Sequence, residues 1–173
     1  ANSTDANALT LKSTLDALDH MKSALEKPDY RRKRAVLLVA RAQALEDIDR
    51  DTSRALVLES VKLAPDLVPA AALAGRRLSE AGDARKARKI LEAAWALNPH
   101  PDIAESYANI RLGDSARERL TRMQKLAEKV PGQLEGALAV ARAALDAREF
   151  ATARAALAPY VSAPTRRVAT LMA

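Results

Sequence analysis

The sequence predicts an all-α fold, a superhelical stack of helix–turn–helix units with about ten helices packed side by side. Three observations lead there. Hydrophobic residues are 49% of the 173 but aromatics only 3%, so Ala and Leu carry the apolar content, and both favour helix over sheet. Small and apolar residues recur three and four apart, the spacing of one helix face. Gly82-Asp83, Asn98-Pro99 and Gly113-Asp114 then interrupt that spacing at regular intervals, as turns between helices do.

The clearest unit runs from Leu67 to Pro99. Ala71, Ala74, Gly75 and Leu78 form one face, and Ala87, Leu91 and Ala94 form the facing one. Gly75, Ala87 and Ala94 are small where two helix backbones come close. Gly82 suits the left-handed position after a helix end, and Pro99 cannot continue the helix before it. Such a unit cannot bury its apolar face alone and requires neighbours of its own kind.

The other elements follow in chain order. Residues 5–26 place Leu11, Leu15, Leu18 and Leu25 on one face, with Thr4 or Asp5 as N-cap. Lys27-Pro28-Asp29 interrupts, and a helix from Asp29 to Asp47 is expected next. It begins with Arg31, Arg32, Lys33 and Arg34, which fan over roughly 300° of the circumference near a helix N-terminus that disfavours cations. An exposed edge turn and an anion-contacting basic patch both explain this run. Thr52 to Ala64 forms the next helix, closed by Pro65. Pro65 and Pro99 are 34 residues apart, the tetratricopeptide (TPR) period. With Val68 as position 1, the unit carries Gly75, Leu78, Ala87, Leu91, Ala94 and Pro99 where a TPR has small, apolar and closing residues. The preceding unit puts Arg41 at the small position 8, and a one-residue shift would bring in Ala42. After Pro99, Asp102 and Glu105 are expected to cap a short helix ending near Ile110. Ser115 with Glu118 makes a capping box for a helix to about Val130. Leu134 to Tyr160 resumes the period with Ala141, Ala144, Ala153 and Leu157, and Pro159 should shorten its second helix. Without a long Pro/Gly/Ser linker, 1–173 is expected to be one TPR domain. Its helical pairs fall at 34–65, 68–99, 102–131 and 134–160, with partial units at 5–26 and 165–173. Ala1 and Ala173 both read as cuts from a longer chain.

Chemistry is sparse. The net charge of +6 permits anionic partners without selecting one. No Cys is present, so disulfides and thiolate chemistry are excluded. Phosphate-loop, dinucleotide and nucleophile-elbow motifs are missing. His20, four residues after Asp16, suits a surface ion pair, and His100 sits in a turn. Neither has metal-ligand spacing. No catalytic residue, metal or cofactor is expected, and the chain reads as a non-enzyme. Arg85, Lys86, Arg88 and Lys89 form one basic cluster, and Arg117, Arg119, Arg122 and Lys125 another. Single-strand nucleic-acid readers interleave aromatics with such cations, whereas Tyr30, Trp95, Tyr107, Phe150 and Tyr160 mostly fall at packing positions. Nucleic acid is therefore disfavoured. Trp95 is expected to pack on the following unit.

A TPR likeness implies a concave groove lined mainly by positions 5, 9, 12 and 13 of first helices. These are Ala72, Arg76, Ser79 and Glu80 in the clear unit, and Leu138, Arg142, Leu145 and Asp146 in the last. Arg76 and Arg142 are the expected contacts to a carboxylate-bearing partner, with Glu80 and Asp146 beside them. An internal Arg76–Glu80 pair one turn apart is the plain alternative.

Residues 34–38 (RAVLL), 63–78 (LAPDLVPAAALAGRRL), 91–120 (LEAAWALNPHPDIAESYANIRLGDSARERL), 141–159 (ARAALDAREFATARAALAP) and 164–173 (PTRRVATLMA) together resemble the C-terminal TPR region of the HemY-like proteins of α-proteobacteria. The resemblance implies an inner-membrane protein whose N-terminal membrane helices precede the TPRs, associated with haem and porphyrin synthesis. It implies haem-pathway enzymes or a mitofilin-like membrane protein as partners; the fragment itself is expected to be soluble and on the cytoplasmic side. It supplies no catalytic residues. The expected function is a non-enzymatic scaffold that captures a partner peptide or helix in the groove. The alternative is a basic module that touches anionic lipid or nucleic acid through Arg31, Arg32, Lys33 and Arg34. A third reading lets porphyrin propionates meet Arg side chains.

Overall fold

The structure, a computed structural model, describes residues 3–173. Ten α-helices and no strand occur among them. They are α1 (Ser3–His20), α2 (Lys27–Ala44), α3 (Arg50–Leu63), α4 (Val68–Glu80), α5 (Ala84–Leu97), α6 (Pro101–Ala108), α7 (Ala116–Ala127), α8 (Leu134–Asp146), α9 (Phe150–Leu157) and α10 (Arg166–Met172). From α1 to α9 each helix packs on the next. A second order of packing skips one helix: α2 meets α4, α4 meets α6, α6 meets α8 and α8 meets α10.

Helix α4 explains why this packing needs small residues. Its Ala70, Leu73 and Ala74 join Ala35, Val39 and Val57 in one apolar cluster. Its Ala71 and Leu78 join a second, larger cluster around Leu91, Trp95, Ile103 and Leu126. Buried on both sides, it has little room for side chains. At Gly75 an added Cβ would lie 2.6 Å from Leu91 Cδ1 of α5. The α2–α3 seam uses serine instead. Ser53 and Ser60 are fully buried, and their hydroxyls donate to the carbonyls of Ala42 and Ala35, both at 2.7 Å. Ser106 of α6 likewise donates to the Ala72 carbonyl of α4. Each short side chain fits the seam and satisfies its own polar atom.

Turn chemistry sets the helix ends. Gly82, Gly113 and Gly132 all have positive φ, a region open to Gly without a Cβ penalty. Asp49 and Asp83 cap α3 and α5 by accepting from Thr52 N and Lys86 N. The expected Ser115–Glu118 capping box is formed at α7, and α9 gives way to a 3-10 turn at Ala158–Tyr160 around Pro159. Ala42, rather than Arg41, is the residue buried against α3. Ala42 precedes Ser53 by 11 residues where Gly75 precedes Ala87 by 12, so the seam residue moves by one position even though the turn between α2 and α3 is longer than that between α4 and α5.

Several expectations are corrected. Pro28 lies in the first turn of α2, where a missing N–H costs nothing, and the break falls earlier, at the 3-10 turn Lys22–Ala24. Thr4 and Asp5 lie inside α1 rather than capping it. Helix α6 starts at Pro101, and His100 Nδ1 accepts from Asp102 N at 3.2 Å, so Asp102 and Glu105 do not form the cap. His20 meets the backbone carbonyl of Asp16, not its carboxylate. The Arg76–Glu80 pair is absent as well. Glu80 accepts from Arg77, whose guanidinium is 5% exposed and also bonds Glu46 in the α2–α3 turn. Arg77 thus ties the end of α4 to the preceding hairpin. Replacing it with Ala is expected to lower stability by about 1–3 kcal/mol, since a buried side chain and two charged hydrogen bonds are lost. Arg76→Ala should stay within about 0.5 kcal/mol. Denaturant titration of the two variants reads the contrast, and equal losses would contradict it.

The α1–α2 junction is polar. Tyr30 donates to Asp19 at 2.7 Å, and Arg34 reaches both Asp19 and Glu59. The Tyr30 hydrogen bond, with help from Arg34, holds the Asp19 carboxyl below its usual range, while the same bond raises the Tyr30 phenol. A lowered carboxyl contributes stability that is present above its unfolded value, ~3.9, and lost as pH falls through the folded one. A raised phenol contributes below its unfolded value, ~10, and loses that as pH climbs through the folded one. Amide protection in α1 is therefore expected to hold between those limits and to fall off at either side before that of α4. Asp19→Asn should remove the acid-side loss, as read by hydrogen exchange.

Candidate functional site

Short α6 opens a groove of about 670 Å³ lined by α6, α7, α8 and α10. Helix α6 has 8 residues where its neighbours in the row, α4 and α8, each have 13. Because α6 stops early, Arg119 and Met123 of α7 reach the lining. Ala104 and Ala108 of α6 face Leu138, Ala139 and Ala143 of α8 across the groove, and Leu171 of α10 adds a further apolar wall. Small floor residues let an incoming backbone approach closely.

Charged groups stand around this apolar floor. Arg167 of α10 donates to Glu135 of α8 through both terminal nitrogens, at 2.5 and 2.9 Å. This bond joins the two helices and holds the Arg167 guanidinium above its ordinary range. Arg119 donates to the Asp114 carbonyl at 3.0 Å. Neighbouring Arg122 bonds both the Ala108 carbonyl and the Asp114 carboxylate, so it fixes the end of α6 and the turn that follows. Arg142, Asp146, Arg166 and Glu105 line the groove, and none of these side chains meets an ion-pair partner among the described residues. A guanidinium held beside alkyl surface can take a carboxylate in two parallel hydrogen bonds while the ligand's apolar side is buried.

The residues singled out from sequence separate into three places. Arg142 and Asp146 are together in the groove. Arg76 is exposed on α4, outside the groove lining, and Glu80 is occupied by Arg77. The basic run is largely consumed by the fold. Arg31 donates to the Lys62 carbonyl at 3.4 Å, Arg32 pairs with Asp66 at 2.6 Å, and Arg34 joins Asp19 and Glu59. Burial works against the Arg34 charge, but its two carboxylates outweigh that and lift it above the usual guanidinium range. Lys33 alone of the four faces outward without a polar partner among the described residues. Of the second basic cluster, Arg119 and Arg122 serve the α6–α7 turn and Arg117 pairs with Glu149 at 3.1 Å. Arg85, Lys86, Arg88 and Lys89 remain exposed on α5.

Arg166, Glu105, Arg119 and Met123 were not foreseen in the groove. They come from helices other than the one carrying Arg142, and only the truncation of α6 signals that α7 is uncovered there. Among the described residues no group of His, Cys, Asp and Glu could hold a metal ion, and no helix is long and apolar enough to cross a membrane. Compared with protein families and with curated proteins, the chain matches none.

Proposed function

We propose that this chain is a TPR-type superhelix that serves as a non-enzymatic interaction scaffold. A partner peptide or helix would lie in the α6–α8–α10 groove with its apolar side on Ala104, Leu138 and Ala139. One observation supports this above the rest: Arg142 stands without an ion-pair partner among the described residues, beside the apolar floor of the groove between α6, α7, α8 and α10. Its role in this reading is to orient a carboxylate of the partner. Arg76, at the matching position of α4, lies outside this groove and has no part in the reading.

The setting we propose rests on the resemblance of residues 34–173 to the HemY-like region. It is an inner-membrane protein of haem synthesis, with partners among haem-pathway enzymes or mitofilin-like membrane proteins. A basic module for anionic lipid or nucleic acid draws support only from the free cations of α5, since the 31–34 run is mostly spent on ion pairs and carbonyls. Salt separates the two readings, because phosphate-driven binding weakens steeply with added salt.

Partner recovery from solubilised membranes tests the groove, with wild type and Arg142→Glu as baits. Charge reversal is expected to lower recovery of a groove partner about tenfold or more, in line with losing a charged hydrogen bond. A partner retained equally by both baits would refute the groove reading.

A further inference from the structure

We propose that the exposed groove between α1 and α2 is the seat of an acidic amphipathic helix supplied by a partner. This site is separate from the Arg142 groove. Along the row of alternate helices, each later member is covered by the one before it. Ala70 of α4 is fully buried in a cluster with Ala35 and Val39 of α2. Ala104 of α6, 34 residues further on, is 7% exposed and shares a cluster with Ala71 of α4. The matching residue of α2 is Leu37, counted back from Ala70 by the same interval that separates Ala42 from Gly75. It is only half-buried, and no described helix precedes α2 in the row. Among the described residues nothing covers that surface.

That surface is a concavity of about 460 Å³ whose walls are Ala17 and Leu18 of α1, Met21 just after it, and Val36 and Leu37 of α2. Met21 and Val36 are 54% and 45% exposed, high for large apolar side chains. The volume corresponds to the inward half of about two turns of a helix some 10 Å across. An apolar trough flanked by two helices receives a third by seating its apolar stripe.

Charge defines the occupant further. Arg32 and Lys33 line the groove and no carboxylate does; Arg32 is already held by Asp66, so Lys33 is the cation left to meet an incoming acid. A helix with Asp or Glu flanking its apolar stripe complements this rim, whereas one flanked by Lys would be repelled. A second copy presenting α10 is disfavoured for the same reason, since α10 exposes Arg166 without an ion-pair partner among the described residues.

The test uses the full chain and two labelled amphipathic peptides of about five turns. Both have Leu and Ala on one face, and their flanks are all Glu in one and all Lys in the other. Fluorescence anisotropy should show the Glu peptide binding and gaining helix by circular dichroism, with the Lys peptide at least about tenfold weaker. Val36→Glu and Lys33→Glu should each cut binding of the Glu peptide by about tenfold. Both positions are exposed, so the fold is preserved, and thermal melting checks this. Arg142→Glu should leave this binding unchanged, so failure here is distinct from failure of the other groove. Equal binding of the two peptides, full binding by Val36→Glu, or binding of phosphatidylglycerol vesicles in place of the peptide would each overturn the proposal. So would a dimer that Val36→Glu abolishes.

Discussion

Replacing Trp95 by alanine is expected to lower stability by about 3–5 kcal/mol, the usual cost of removing a large aromatic from a packed core. For a chain of this size that is a fall of roughly 10 °C in melting temperature. Trp95 is the largest fully buried side chain among the described residues, and its ring reaches the close approach of α7 and α8 at Gly136. The cavity would open where α5 meets the following pair, so the loss should concentrate in α6 to α9. Hydrogen exchange would resolve this, with α2 and α3 keeping most of their protection. Trp95→Phe sharpens the prediction. The indole Nε1 is buried with no hydrogen-bond partner, and an unpaired buried donor itself costs about 1–3 kcal/mol. Phe gives up apolar area but also removes that donor, so its cost should be well under half that of alanine. A Phe variant as damaged as the Ala variant would mean the indole nitrogen has a partner in solution.

Gly75→Val is expected to give the second largest effect, a loss of about 1–3 kcal/mol through overpacking. A Cβ at this position would sit 2.6 Å from Leu91 Cδ1 and 2.9 Å from Leu91 Cγ. Leu91 is itself fully buried, so its side chain has little room to turn aside and the contact pushes α5 away from α4. Valine adds two further methyl groups in the same place. Glycine within a helix costs about 1 kcal/mol relative to alanine, so Gly75→Ala recovers part of its strain and should fall between wild type and valine. Gly136 provides the control. Its added Cβ would meet Ala127 Cβ at 3.2 Å, a smaller misfit that the gain in helix propensity largely offsets. Thermal melts should therefore rank Gly75→Val below Gly75→Ala, and Gly136→Ala near wild type. If Gly75→Val melts with wild type, the α4–α5 seam is looser than its geometry implies.

The local features of this chain were legible because they are set within a few residues. Gly82 in the left-handed turn, the Ser115–Glu118 capping box, the 3-10 turn at Pro159 and the small residues of α4 all depend on neighbours close in sequence or on the helical period itself. The helix starts that were misplaced show the limit of that reasoning. His100 outcompeted Asp102 as a cap because an imidazole nitrogen can accept as a carboxylate does, and Pro28 was compatible with a first turn it had been expected to break.

Only half of the candidate site could be read in advance. Arg142 and Asp146 share one face of α8 by spacing alone, so their pairing in one groove follows from the period. Arg166, Arg119 and Glu105 enter from three other helices, and no spacing along the chain relates them. Arg76 and Arg77 make the point at the smallest scale. They are adjacent, identical in type and about 100° apart around the helix, yet one is exposed and the other is buried between Glu46 and Glu80. By itself the sequence determined that the chain is helical, where most turns fall and which seams must be lined with Ala, Gly and Ser, since those are matters of backbone preference and side-chain volume. The tertiary structure alone decided which arginines are spent inside the fold and which stay free to meet a partner, because that depends on carboxylates and carbonyls delivered by helices distant in the chain.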